Sequence, residues 1–250
     1  MCRVPGACSQ NRVFDDLTED ALLGGRIRLI QPRDGFRAAI DPVLLAAFVP
    51  ARAGEAVLEL GCGTGAAFLC LAARVARLDI TAVERDSGLA ELAERNAVLN
   101  LLPARIVAAD LRSLRHLPAL HHAFANPPYW TGGTPSPLAE RRQAAHEDAP
   151  LADWVQAMAR PLRQKGTVSL VLPASRFAEA GAALLAAGCG AIRLLPLWPR
   201  AGVAARRILI QARRGGRGPD EVLPGLILHE ADGRMSDGAE AILRGAAALP

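Results

Sequence analysis

The sequence predicts an α/β protein built on a doubly wound, mostly parallel sheet of seven strands, the last of them antiparallel. Three observations predict it. Short apolar runs alternate with helix-like runs from 51 to about 212, a glycine-rich turn follows the first apolar run, and chemically distinctive residues close each of the first four runs. Strands are expected at 56–60, 80–84, 105–109, 122–125, 167–172, 192–197 and 206–212. Helices are expected at 66–77, 88–101, 151–160 and 176–187. The loop between the last two strands is too short for a crossover helix, so they should pair antiparallel. Residues 1–50 look like a lead-in of hairpin and helix packing on the core, 51–215 the main domain, and 216–250 a tail entered through the Gly-rich stretch 213–219. Within the tail, Ile227, Leu228 and His229 suit an edge strand or a cover for one.

Composition excludes several classes. With 250 residues, 51% hydrophobic and 22% charged, the chain can bury a sizeable core and is not of the disordered type. No run approaches the ~18 apolar residues of a membrane helix, and residues 1–16 lack the apolar core of a secretory signal, so a cytoplasmic location is expected. Five unclustered cysteines indicate neither a disulfide framework nor a zinc site, and no metal is expected. The net charge is +4, and from Arg193 to Arg217 there are seven arginines and no acidic residue. That stretch suits a nucleic-acid surface and a plain solvated face equally well.

In open α/β sheets ligands bind beyond the carboxyl ends of the strands. Gly61, Gly63 and Gly65, with Glu59 just before them, form a tight turn there; Glu84, Asp110 and Asn126 end the next three strands. With Ala66 added, the glycines also satisfy the dinucleotide fingerprint, and Glu84 stands where its ribose acid would be, so an NAD enzyme stays open on these residues alone. The segment Asn126-Pro127-Pro128-Tyr129, which holds the chain's one tyrosine, adds a different chemistry. Two prolines remove two backbone donors and stiffen the exit from the strand. An amide side chain and carbonyls are thereby held out beside a flat ring, an arrangement suited to a planar amide or amino nitrogen. Cys62 reads as a small filler of the turn, since no base stands near it in sequence, and His121 and His122 as residues flanking a strand start.

Together, Glu59-Leu-Gly-Cys-Gly-Thr-Gly65, Glu84, Ala109-Asp-Leu111 and Asn126-Pro-Pro-Tyr129 resemble the class I S-adenosylmethionine-dependent methyltransferases over roughly 51–212. The resemblance implies S-adenosylmethionine as cofactor. It places the methionine part at Glu59, Gly61, Gly63 and Gly65, the ribose at Glu84 and the adenine amine at Asp110, with Asn126 touching both cofactor and target. Asn126, Pro127 and Tyr129 would be catalytic, the first two accepting the hydrogens of a planar nitrogen and the third stacking on its plane.

The flanks narrow the likeness. The lead-in with Gly35-Phe36 and Asp41-Pro42, and the run Trp130…Arg141-Arg142…His146-Glu147, resemble the bacterial tRNA(Val) adenine-N6-methyltransferase family. That implies tRNA as partner, at its anticodon loop, and a monomer or weak dimer. Pro128, Tyr129 and Trp130 would then face the base. Arg141 would also bind substrate; Trp198, Arg200 and Arg206 would grip the loop by stacking and phosphate contacts, and the extruded base would enter a mouth formed by 131–150. The alternatives are a protein-glutamine methyltransferase acting on release factors, which resembling enzymes precede with a helical domain, and a guanine-N2 rRNA methyltransferase. A non-catalytic cofactor-binding scaffold is the reading from another class.

Overall fold

In the computed structural model, residues 16–34, 37–115, 117–128 and 149–250 are described. The lead-in forms a hairpin, β1 (Leu17–Leu22) and β2 (Ile27–Pro32), antiparallel across a turn in which Leu23, Gly24 and Gly25 all take positive φ. Helix α1 (Ile40–Phe48) follows, with Pro42 in its first turn, where a missing N–H costs nothing, and Val43 to Phe48 all buried.

The main sheet begins with β3 (Ala56–Leu60), then α2 (Ala66–Arg74), β4 (Asp79–Glu84), α3 (Ser87–Leu99), β5 (Arg105–Ala108) and β6 (Leu120–Ala125). Next come α4 (Leu151–Ala159), β7 (Leu162–Pro173), α5 (Phe177–Ala186), β8 (Cys189–Trp198) and β9 (Arg207–Arg214). Strand β3 lies between β4 and β6, and both pairings are parallel. The chain therefore winds outward one way through β4 and β5, then returns to the other side of β3 with β6. That reversal is the switch point where open α/β sheets bind ligands. Strand β9 inserts between β7 and β8 and is antiparallel to both, as its short connection predicts.

The seven expected strands are all present, and among the described residues the sheet has nine, in the order β10-β8-β9-β7-β6-β3-β4-β5 with β11 also on β8, because the tail adds β10 (Glu221–Val222) and β11 (Leu226–Ile227), both parallel to β8. Two-residue strands carry no periodicity to detect. Strand β7 also starts five residues earlier than expected: its first half, Arg163-Gln164-Lys165, is polar and exposed, with Lys165 at φ 63 and a register shift against β6. Helix α6 (Asp237–Leu243), capped by the Ser236 hydroxyl on Ala239 N–H, buries Ala239 and Ile242 in the same core as Leu23 and Leu45. Among the described residues no helix is long and apolar enough to cross a membrane, and no cluster of His, Cys, Asp or Glu could hold a metal ion.

Candidate active site

The sheet register aligns the predicted residues along one edge. Leu60 pairs with Val83 on β4 and with Ala125 on β6, so Gly61, Glu84 and Asn126 each stand one residue past the same level. Glu84 in turn pairs with Ala108, the last residue of β5, which puts Asp110 two residues past that strand's end. Neighbouring strands lie about 4.8 Å apart, so the four positions span roughly three strand spacings, about 14 Å.

The three glycines of the loop do different work. Gly61 has φ 66, and a Cβ there would come within 2.7 Å of the buried Trp154 ring on α4. Gly65 has φ 96, and a Cβ would meet the Phe68 ring at 2.7 Å. Gly63, at φ 55, is the exception: a Cβ would meet nothing within 4 Å, so its backbone borders open space. Gly63 N–H donates to Glu84 Oε2 at 2.8 Å and Asp86 N–H to Glu84 Oε1 at 2.9 Å, which ties the second strand's acid to the loop while leaving acceptor capacity on both oxygens.

Glu59 lies beneath the loop, buried, with Oε2 accepting the Phe68 N–H at 2.8 Å, one of the free donors of the first turn of α2. Burial pushes its carboxyl well above the ordinary range; the Phe68 bond opposes this and nearby Glu84 adds to it. A raised value means that the fold favours the neutral acid. This stabilisation is complete below pH ~4.3 and is lost as pH rises through the raised value. Glu59→Gln keeps the acceptor and removes the charge, so at pH 8 its thermal midpoint should exceed that of the wild type by on the order of a few degrees, the gap closing toward pH 4.5. A midpoint that falls equally at both pH values would refute the assignment. Burial likewise pushes the Cys62 thiol well up, so it is held protonated rather than activated.

Asp110 accepts Arg112 N–H and Nε–H on Oδ1 at 2.8 and 3.0 Å and Nη2 on Oδ2 at 2.8 Å. Chiefly through these side-chain bonds, Arg112 holds the Asp110 carboxyl down at about 2. The depressed value means the pairing is intact above pH ~3.9 and lost only as pH falls through about 2. A carboxylate has about four lone-pair directions, so one stays open for a ligand amine, on Oδ2. Asp110→Ala should therefore weaken S-adenosylhomocysteine binding about tenfold, by the same factor at pH 5 and pH 8. Unchanged affinity in calorimetry would remove Asp110 from the pocket.

Asn126 supplies the most telling atom. Its Oδ1 is buried with no hydrogen-bond partner, one of two such side-chain atoms among the described residues. A buried acceptor left unmade costs about 1–3 kcal/mol, so such an atom calls for an explanation. Pro127 beside it is buried and Pro128 half-buried. Tyr129, Trp130, Arg141 and the Arg142 to Glu147 features lie outside the described residues.

Other expected positions do not converge here. Trp198 ends β8 and Arg200 follows it, separated from β6 by β9 and β7, about 14 Å of sheet. The Trp198 indole N–H donates to Pro224 O at 3.1 Å and its backbone carbonyl accepts from Leu228 N–H at 2.8 Å, so the ring is engaged with the tail. Arg200 and Arg206 are exposed. His122 sits at the other end of β6, about 13 Å from Asn126, its ring bonded to Thr167 Oγ1 at 2.8 Å and Glu55 Oε2 at 2.9 Å. Burial lowers its pKa against the pull of Glu55. Two residues that support the loop were missed: Trp154, legible only as an apolar helix face, and Asn96, whose single signal was an amide among small residues of a helix.

The arrangement has known counterparts. A family model described as the methyltransferase small domain matches residues 41–175. The chain belongs to this family. The methyltransferase is 30% identical over 212 residues to the tRNA1(Val) (adenine(37)-N6)-methyltransferase of Tolumonas auensis, covering 82% of this chain and 87% of that one. It is also 30% identical over 209 residues to the enzyme of that name from Aeromonas hydrophila, with 82% and 87% covered. Among solved structures, a predicted O-methyltransferase from Agrobacterium tumefaciens superposes with a TM-score of 0.69 at 28% identity, covering 84% of this chain and 98% of that one. The fold is shared with the Thermus thermophilus 16S rRNA N2 G1207 methyltransferase, solved with AdoMet and guanosine, at a TM-score of 0.58 and 21% identity over 80% of this chain and 50% of that one.

The protein is an S-adenosylmethionine-dependent methyltransferase. The residues fit that cofactor: backbone borders open space at Gly63, and the Glu84 and Asp110 side chains keep acceptor capacity beside it.

Proposed function

We propose that the methyltransferase acts on the exocyclic N6 of an adenine in RNA, in tRNA(Val) beside the anticodon. The observation that carries this reading is the buried, partnerless Oδ1 of Asn126 at the switch point, within Asn-Pro-Pro-Tyr. An amine with two hydrogens answers it. The 30% identity to tRNA1(Val) (adenine(37)-N6)-methyltransferases supports the choice of adenine and of tRNA.

The exocyclic nitrogen is a poor nucleophile because its lone pair is delocalised into the ring. Asn126 Oδ1 and the Pro127 carbonyl accept its two hydrogens, favouring a pyramidal nitrogen whose lone pair faces the glycine loop. S-adenosylmethionine, held against Gly61 to Gly65, supplies an electrophilic methyl group. The contribution of the chain is alignment in a fixed geometry, which is worth several kcal/mol of barrier. Pro127 and Pro128 hold that geometry, since each disfavours helical backbone at the residue before it, Asn126 and Pro127. The role proposed for Tyr129 is stacking on the base, a contact worth ~1–3 kcal/mol. The methylated nitrogen is acidic enough to release its proton to water, so no side-chain base is required. In this reading the half-buried Pro128 borders the base's entry, a role also proposed for Trp130. Arg200, exposed beyond the end of β8, would meet the phosphates of a single-stranded loop, a role also proposed for Arg141. A tRNA substrate also fits a cytoplasmic enzyme working without a metal.

The test is transfer of labelled methyl from S-adenosylmethionine to unmodified tRNA, release factor and rRNA in parallel, with nucleoside mass spectrometry of the products. N6-methyladenosine in tRNA(Val) is expected. Label found only on release-factor glutamine, or only on guanine, would overturn the assignment.

A further inference from the structure

We propose that Asn96 is a positioning residue for the cofactor loop and couples the N-terminal hairpin to it. Asn96 lies on α3, is 0% exposed, and touches neither of the cofactor carboxylates. Its Nδ2 donates to Thr64 O at 2.9 Å and to Ile30 O at 2.8 Å, while its Oδ1 accepts the Ile30 N–H at 2.8 Å. Both amide donors are thereby used, one on each partner.

Thr64 stands between Gly63 and Gly65, whose φ values are 55 and 96. Glycines on either side give this peptide unusual freedom, and freedom in a binding loop must be given up when the ligand binds. Within the loop, Gly65 N–H bonds Cys62 O at 2.8 Å and Gly63 N–H is taken by Glu84. Asn96 fixes the remaining peptide by its carbonyl, so the loop waits in its binding shape.

The other half of the amide faces the hairpin. One turn on, at the residue capping the end of α3, Asn100 repeats the pattern: Oδ1 accepts Arg28 N–H at 2.9 Å and Nδ2 donates to Arg28 O at 2.7 Å. The spacing matches, since four residues of helix rise about 6.0 Å and two residues of strand about 6.6 Å. Two side-chain amides thus stand in for a neighbouring strand along β2. Only one of them also holds the loop, and that difference separates positioning from simple docking of the hairpin.

The proposal rests on the methyltransferase assignment and not on which nitrogen is methylated, so it is tested by binding alone. Calorimetry with S-adenosylhomocysteine on Asn96→Asp, Asn96→Ser and Asn100→Ala is expected to show Kd raised about tenfold in both Asn96 variants and by under about twofold in Asn100→Ala. Asn96→Asp should recover affinity as pH falls from 8 to 5.5, because the introduced carboxyl regains a donor on protonation; Asn96→Ser should not. Affinity within twofold of wild type in both Asn96 variants, or an equal loss in Asn100→Ala, overturns it. If neither Asn96 variant folds, amide exchange in the unmodified protein decides. S-adenosylhomocysteine must then slow exchange at Ile30 N–H more than at Arg28 N–H, since coupling is reciprocal. Equal protection at the two amides overturns the proposal.

Discussion

Asn126→Ala is expected to slow methyl transfer roughly a hundred- to a thousand-fold, the scale of removing one aligned polar group from a transition state. Cofactor affinity should change little, because Glu84, Asp110 and the glycine loop are untouched. The separation follows from the state of Oδ1. An acceptor already bonded within the protein would hold structure, and its loss would appear first in stability. Oδ1 is buried and bonded to nothing, so its removal relieves the folded protein while depriving the target amine of a partner. Asn126→Asp retains an acceptor at the same place and should keep more activity than Asn126→Ala. Single-turnover transfer of labelled methyl, alongside calorimetry with S-adenosylhomocysteine, separates the two effects. Wild-type turnover in Asn126→Ala would remove Asn126 from the reaction.

Gly61→Ala should produce the largest loss of stability in the loop, about 2–4 kcal/mol, from a left-handed backbone at a residue with a Cβ and from overpacking. The new Cβ would stand 2.7 Å from Trp154 Cη2 and 3.0 Å from Cζ3. For a chain of this length the thermal midpoint should drop by on the order of 5–10 °C. Combining it with Trp154→Leu should recover part of that loss, since the two positions share one contact. Gly63→Ala is the informative contrast. It bears the backbone strain alone and should cost about 1 kcal/mol of stability. Its Cβ enters the open space beside the loop, where the proposed site puts the cofactor, so its penalty should fall on binding. Scanning fluorimetry and calorimetry on the pair check both halves; equal midpoints for Gly61→Ala and Gly63→Ala would show that the indole yields.

The contrast explains what was legible in the sequence. Strand-end residues such as Gly61, Glu84, Asp110 and Asn126 stand out because their types make little sense for packing alone, and short parallel strands separated by helices place them in one row. Contacts between segments distant in the chain do not stand out. Asn96 and Asn100 look like polar faces of a surface helix, yet Asn96 is fully buried because β2 arrives 66 residues earlier in sequence to use it. Trp198 looked like an aromatic available for stacking, and only the tail's return to β8 supplies the Pro224 carbonyl for its N–H. The first half of β7 was hidden by its polarity, since an exposed stretch has no apolar alternation to show.

The tail strands have a consequence beyond the site. A sheet's outermost strands present unpaired backbone groups, an invitation for another polypeptide to add itself. At one border β5 offers four residues, too few to template much. At the other, β8 runs ten residues, and would be a long exposed selvage were β10 and β11 not laid along it with Trp198 pinned beneath their connection. The last thirty residues therefore act as a hem: they finish the fabric of the sheet and leave less of its longest border open to a stray strand.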